Sequence, residues 1–166
     1  MLALEKLLIR EPRHAEVRQT LVVLLLQNRR TEEAMRRLQE GLDLTPDFSD
    51  MAMTLSRLQV DKGDNATAIA TLQRTLPYAG ERADYQAFLA ALLQRESKHK
   101  EASEHYLVAL RKQPKNGLWW MGLGISLEAD HRLPEALEAF GRAKTSGMLT
   151  PELQAFVDQK SNKGQP

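Results

Sequence analysis

The 166-residue chain has no cysteine. That excludes disulfides, thiolate metal sites and cysteine nucleophiles, and it leaves the compartment open. An excess of charge is missing too: 23 Lys and Arg against 22 Asp and Glu leave +1. No global field therefore draws the chain to nucleic acid or to an anionic membrane. Long hydrophobic runs are absent. Leu21 to Leu26 falls far short of the roughly 20 apolar residues of a bilayer span, so this stretch is not expected to insert in a membrane. The opening MLALEKLLIREPRH carries charges within its first turns and does not read as a signal peptide. Chemistry is equally sparse. His99 and His105 are six apart, off the i, i+4 spacing of a helical metal pair, and with His14 and His131 they read as ordinary exposed histidines. Gly122-Leu123-Gly124 lies inside a helical pattern and reads as close packing, not a phosphate loop. Glu32-Glu33 marks a helix start, where the dipole favours carboxylates. No nucleophile stands with a base. The expectation is a non-enzymatic protein without cofactor or metal.

What the chain does have is repetition. With 42% hydrophobic and 27% charged residues it is an ordinary soluble composition, but it matches itself at a shift of 34 residues. Ala34, Ala68, Ala102 and Ala136 form one series, and Leu21, Leu55, Leu89 and Leu123 another. Leu38, Leu72, Tyr106 and Phe140 are large side chains in the same register, and Val17, Met51, Tyr85 and Trp119 follow it as well. The frames are 15–48, 49–82, 83–116 and 117–150. Each frame reads as two helices. Val17, Leu21, Leu24 and Leu25 share one helical face, a polar turn follows at 28–30, and Met35, Leu38 and Leu42 make a second stripe. Thr31 reads as the second helix's N-cap. Pro46 ends the first frame, Pro77 and Gly80 break the second, and Pro114 ends the third. Gly124 and Ala136 read as a close-contact pair, with Phe140 filling the gap to the next helix.

Both ends depart from the frames. Residues 1–14 fit the second half of a truncated repeat, with Leu4, Leu8 and Pro12 at the places of Leu38, Leu42 and Pro46, which predicts a piece of a longer protein. Arg10, Arg13, Arg18, Arg29, Arg30, Arg36 and Arg37 read as a solvated outer face. Thr150-Pro151 starts a helix over 151–160 whose stripe of Leu153, Phe156 and Val157 suits a cap on the last repeat. Residues 161–166 read as a disordered tail. The whole of 1–160 is expected to be one domain.

The stretch 117–143 carries Trp120, Leu123, Gly124, then Ala136, Phe140 and Ala143. It resembles the tetratricopeptide signature W-x2-L-G-x2-Y…A-x3-F, with Leu127 at the Tyr place. The resemblance implies an all-α solenoid of antiparallel helix pairs, a right-handed superhelix with a concave binding face. It implies that places 2, 5, 9, 12 and 13 of each first helix line that face. Carried over, these are Glu16, Gln19, Val23, Leu26 and Gln27, then Asp50, Met53, Arg57, Val60 and Asp61. The later frames supply Asp84, Ala87, Ala91, Gln94 and Arg95, then Leu118, Met121, Ile125, Glu128 and Ala129. The ten taken as the binding set are Val23, Leu26, Met53, Arg57, Val60, Gln94, Arg95, Leu118, Met121 and Ile125; packing between helices is the alternative for any of them. So apolar a floor suits an apolar or amphipathic segment of a partner protein.

The blocks DYQAFLAALLQR (84–95) and NGLWWMGLGISLEA (116–129), with LEKLLIREPRHAE near the start, resemble the C-terminal part of the mannose-sensitive haemagglutinin pilus biogenesis proteins of the N type. That resemblance implies a bacterial type IV pilus accessory protein, with pilus assembly components as partners, at the periplasmic face of the inner membrane. The alternative is a cytoplasmic adaptor or co-chaperone with a soluble client. A homodimer through open repeat ends is a further expectation.

Overall fold

The computed structural model describes residues 1–162, and among them every regular element is an α-helix. The chain divides into two compact units, Met1–Gly80 and Glu81–Pro166, where the sequence predicts one domain. The first holds α1 (Leu2–Arg10), α2 (Ala15–Gln27), α3 (Thr31–Leu44), α4 (Ser49–Asp61) and α5 (Asn65–Ala79). The second holds α6 (Ala83–Arg95), α7 (His99–Lys112), α8 (Gly117–Ala129), α9 (Leu133–Thr145) and α10 (Pro151–Asn162). Within each unit, helices consecutive in sequence pack on one another, and in the second unit α6 also touches α8.

The repeat register is a burial register. The four alanines of the Ala34 series are wholly buried, and the Leu21 and Leu38 series are no more than 5% exposed. Trp119 alone among the register residues is half-buried. Gly124 lies under Phe140, not beside Ala136 alone. A Cβ on Gly124 would stand 2.7 Å from Cε1 of that ring, so the glycine makes room for an aromatic face.

The turns inside the frames share one geometry that the sequence hides. Arg29, Gly63, Ser97 and His131 occupy the same frame place, and all have φ between 59° and 80°. Each lies just past a helix end. The next residue's N–H donates to a carbonyl five residues back: Arg30 to Leu25, Asp64 to Gln59, Lys98 to Leu93 and Arg132 to Leu127. This left-handed C-terminal cap normally takes glycine, yet only one frame supplies it. Ser97→Gly and His131→Gly should each therefore stabilise the protein by about 1 kcal/mol, and Gly63→Ala should destabilise it by about as much, read from urea midpoints.

Three local expectations are corrected. Thr31 is the first residue of α3 and no side chain caps that helix, whereas Asp64 caps α5 (from Thr67 N, 3.1 Å) and Asn116 caps α8 (from Trp119 N, 3.2 Å). Pro77 does not end α5. The helix runs on to Ala79, because a proline in the last turn removes a single N–H, and it stops at Gly80 with φ +58°. Ser161 and Asn162 continue α10 and are not tail; the rest of the expected tail, 163–166, lies outside the described residues. At the start of α10, Thr150 Oγ1 accepts from Leu153 N at 3.3 Å. Val157 is fully buried, and Lys160 pairs with Glu128 of α8.

The arginine-rich start is not uniformly solvated. Arg18 is 4% exposed. It donates to the Pro12 carbonyl (2.7 Å) and the Arg37 carbonyl (2.9 Å), and its Nη1 lies 3.4 Å from Glu40. Burial lowers its pKa and Glu40 opposes that. One signal was available: Arg18 stands at the frame place of Trp120, and Ala52 and the buried Gln86 share that place.

Candidate functional site

Small residues on two neighbouring helices open a cleft in the second unit. Ala87 and Ala91 of α6 and Gly122 of α8 line it with little bulk; Phe88, Leu118, Trp119, Met121 and Ile125 make it apolar, and Tyr106 of α7 lies beneath. Its volume is about 370 Å³, within the range of specific ligand pockets. Gly122 is needed for this shape: a Cβ there would sit 2.5 Å from Cζ and 2.6 Å from Oη of Tyr106. Burial pushes the Tyr106 hydroxyl up to about 12, with Arg95 opposing, so it stays neutral at physiological pH.

Two polar side chains bound the cleft. Asp84 lies in the first turn of α6, and Arg82 grips both its oxygens, Nε to Oδ1 at 2.8 Å and Nη2 to Oδ2 at 3.0 Å. The Arg82 hydrogen bonds hold the Asp84 carboxyl below the usual carboxylate range. At the other end Gln94 Nε2 donates to the Gly122 carbonyl (2.7 Å) and to Ser126 Oγ (2.8 Å). A carbonyl can only accept, so the amide nitrogen must face α8 and Gln94 Oε1 turns away from that carbonyl.

The expected binding set separates. Gln94, Leu118, Met121 and Ile125 line this cleft, as do Asp84, Ala87 and Ala91. Leu118 is 44% exposed at its mouth. Arg95 is exposed but is not among the lining residues. In the first unit Val23 and Arg57 are exposed, and Leu26 and Val60 are half-buried. Met53 is corrected: at 3% exposure it is a packed residue, because its long thioether fills core space. Phe88, Tyr106, Trp119 and Gly122 were missed as lining residues. Their signal was the change of size at one frame place, Phe88 in one repeat and Gly122 in the next.

The histidines have structural surroundings. His14 Nδ1 caps α2 at Val17 N, and His99 Nδ1 lies 3.4 Å from Ser126 Oγ. His105 Nδ1 lies 2.7 Å from Oε1 of the buried Gln86. Burial lowers the His105 pKa, and Glu104 and Glu101 oppose this. The unfolded chain then binds the proton more tightly, so stability is greatest above the ordinary histidine value of about 6.5 and falls as pH drops below it. Urea unfolding in a pH series is expected to show that fall, and His105→Gln to flatten it. No three His, Asp or Glu residues converge to hold a metal among the described residues.

Two family models described as tetratricopeptide repeat match the chain, one at residues 1–53 and 28–92 and the other at 89–148. No curated protein matches. Among solved structures the chain is similar to the crystal structure of the MamA protein, at 19% identity and TM-score 0.71, covering 99% of this chain and 84% of that one. It is similar to MamA 41-end from Desulfovibrio magneticus RS-1 at 17% identity and TM-score 0.74, covering 90% and 87%. YrrB, described as a TPR protein with an unusual peptide-binding site, aligns at 16% identity and TM-score 0.75, covering 95% and 80%. At these identities the likeness concerns the all-α fold.

Proposed function

This chain belongs to the tetratricopeptide repeat family, and on that premise we propose that it is a non-enzymatic scaffold that holds an apolar or amphipathic segment of a partner protein in the cleft between α6 and α8. The observation that carries the reading is the lining: small residues below, large apolar ones around, and a single charged side chain already matched by Arg82. YrrB, with the same fold, is described by its peptide-binding site. A photo-crosslinking residue at Leu118 should trap a partner that one at the exposed Lys100 does not, with the trapped protein then purified and bound in a defined assay. Equal trapping at both positions would sink the cleft as the site.

The narrower reading, supported by the blocks 84–95 and 116–129, is that the partner is a bacterial type IV pilus assembly component at the periplasmic face of the inner membrane. Co-purification from native membranes tests it; recovery of cytosolic clients alone would favour an adaptor instead. Self-association belongs to the same reading. Leu2 and Ile9 lie seven apart on α1, 65% and 79% exposed, at places that hold Arg36 and Asp43 one frame later. Sedimentation is expected to show a dimer that Leu2→Glu with Ile9→Glu converts to monomer.

A further inference from the structure

The last frame holds a ring pair at the frame places of two cleft residues. Phe140 of α9 and Phe156 of α10 meet edge to face, ring centroids 6.3 Å apart at 78°. One frame earlier, the same two places hold Tyr106 and Gly122. There the first ring is present, lying against Gly122, and the second side chain is missing. The open cleft lies over that pair. The chain thus brings a ring to the same frame place twice, once against a second ring and once against the bare backbone of Gly122, with the open cleft beside it.

From this, and resting on the cleft reading above, we propose that the occupant of the cleft is an aromatic side chain of a partner polypeptide, packed against the Tyr106 ring as Phe156 packs against Phe140. The chemistry of the lining agrees. Edge-to-face ring pairs gain beyond their buried area, and an uncharged ring suits walls of Phe88, Met121 and Ile125. Charge selects the same way: Asp84 is matched by Arg82 and the Tyr106 hydroxyl stays neutral, so no unmatched charge in the lining calls for an ionic anchor. On α8, three residues beyond Ile125, Glu128 pairs with Lys160 of α10.

The test is selection of random displayed linear peptides on the full chain, followed by binding measurements on the peptides recovered. Ala91→Phe, which supplies a ring from the protein's own wall, should remove their binding. Leu118→Glu at the exposed mouth should weaken it without touching the core. Circular dichroism controls both variants. The expected result is one aromatic position common to the cleft binders; its change to alanine weakens binding at least about tenfold, and its change to leucine roughly 3–10-fold. Cleft-dependent peptides anchored by leucine or isoleucine would overturn the aromatic assignment and leave the scaffold reading standing. Peptides insensitive to both variants, or no peptides at all, would overturn both.

Discussion

Alanine in place of Phe140 should destabilise the protein by about 3–5 kcal/mol, the range for removing a buried aromatic ring. The ring is 0% exposed. It covers Gly124 on one side and meets Phe156 on another, so its loss opens a cavity that no neighbour can close. Gly124 has no side chain to move into the space, and Phe156 belongs to a helix held by Val157 and by the Lys160–Glu128 pair. The reverse change should hurt for the opposite reason. Gly124→Ala puts a methyl 2.7–3.0 Å from three ring atoms and should cost about 1–3 kcal/mol. The pair should be non-additive, since in Gly124→Ala/Phe140→Leu the smaller side chain gives the methyl room. Urea midpoints of the four proteins form the cycle, and strict additivity would show that the ring does not rest on Gly124.

Arg18→Met should cost about 3 kcal/mol. Methionine keeps the length of the stem but removes the charged donor to the part-buried Pro12 and Arg37 carbonyls, and hydrogen bonds to charged groups contribute about 1.5–3 kcal/mol each. Arg18→Lys should not restore stability, because one ammonium cannot reach two carbonyls and Glu40 in the guanidinium's fork geometry. Gly41 makes the arrangement possible. A Cβ there would lie 2.5 Å from Arg18 Cδ and 2.8 Å from Met51 Sδ, so Gly41→Ala should displace the arginine and reproduce part of the loss. Hydrogen exchange in α2 and α3 is the second readout; if it and the urea midpoint stay unchanged in Arg18→Met, the arginine is not a structural link.

Fold and site were legible to different degrees for physical reasons. The Ala34 and Leu21 series could be read because burial at a fixed helix place tolerates few side chains, and the places recur. Arg18 was misread because charge near a chain start ordinarily means solvent, and only its register with Trp120 says otherwise. The turn at 28–30 reads as polar, but the left-handed backbone at Arg29, Ser97 and His131 leaves no mark in residue type when glycine is absent. In the cleft, Gln94, Leu118, Met121 and Ile125 follow from the frame places that the tetratricopeptide resemblance implies. Tyr106 did not, since a large residue in a packing series gives no sign that it also floors an opening. Met53 failed for the complementary reason: a place that is half-buried at Gln19 and Met121 is closed over at Met53.

Pro151 opens α10 34 residues after Gly117 opens α8, so α10 stands at the frame place of a first helix. Length is consequently a variable that evolution or design can change in whole frames. A tandem duplication of 117–150 would join at each end through contacts close to those the protein already makes. It would also set Phe140 against a second Gly122, creating a second opening beside the first. A ligand with two anchors would then bind by avidity, with no new type of contact.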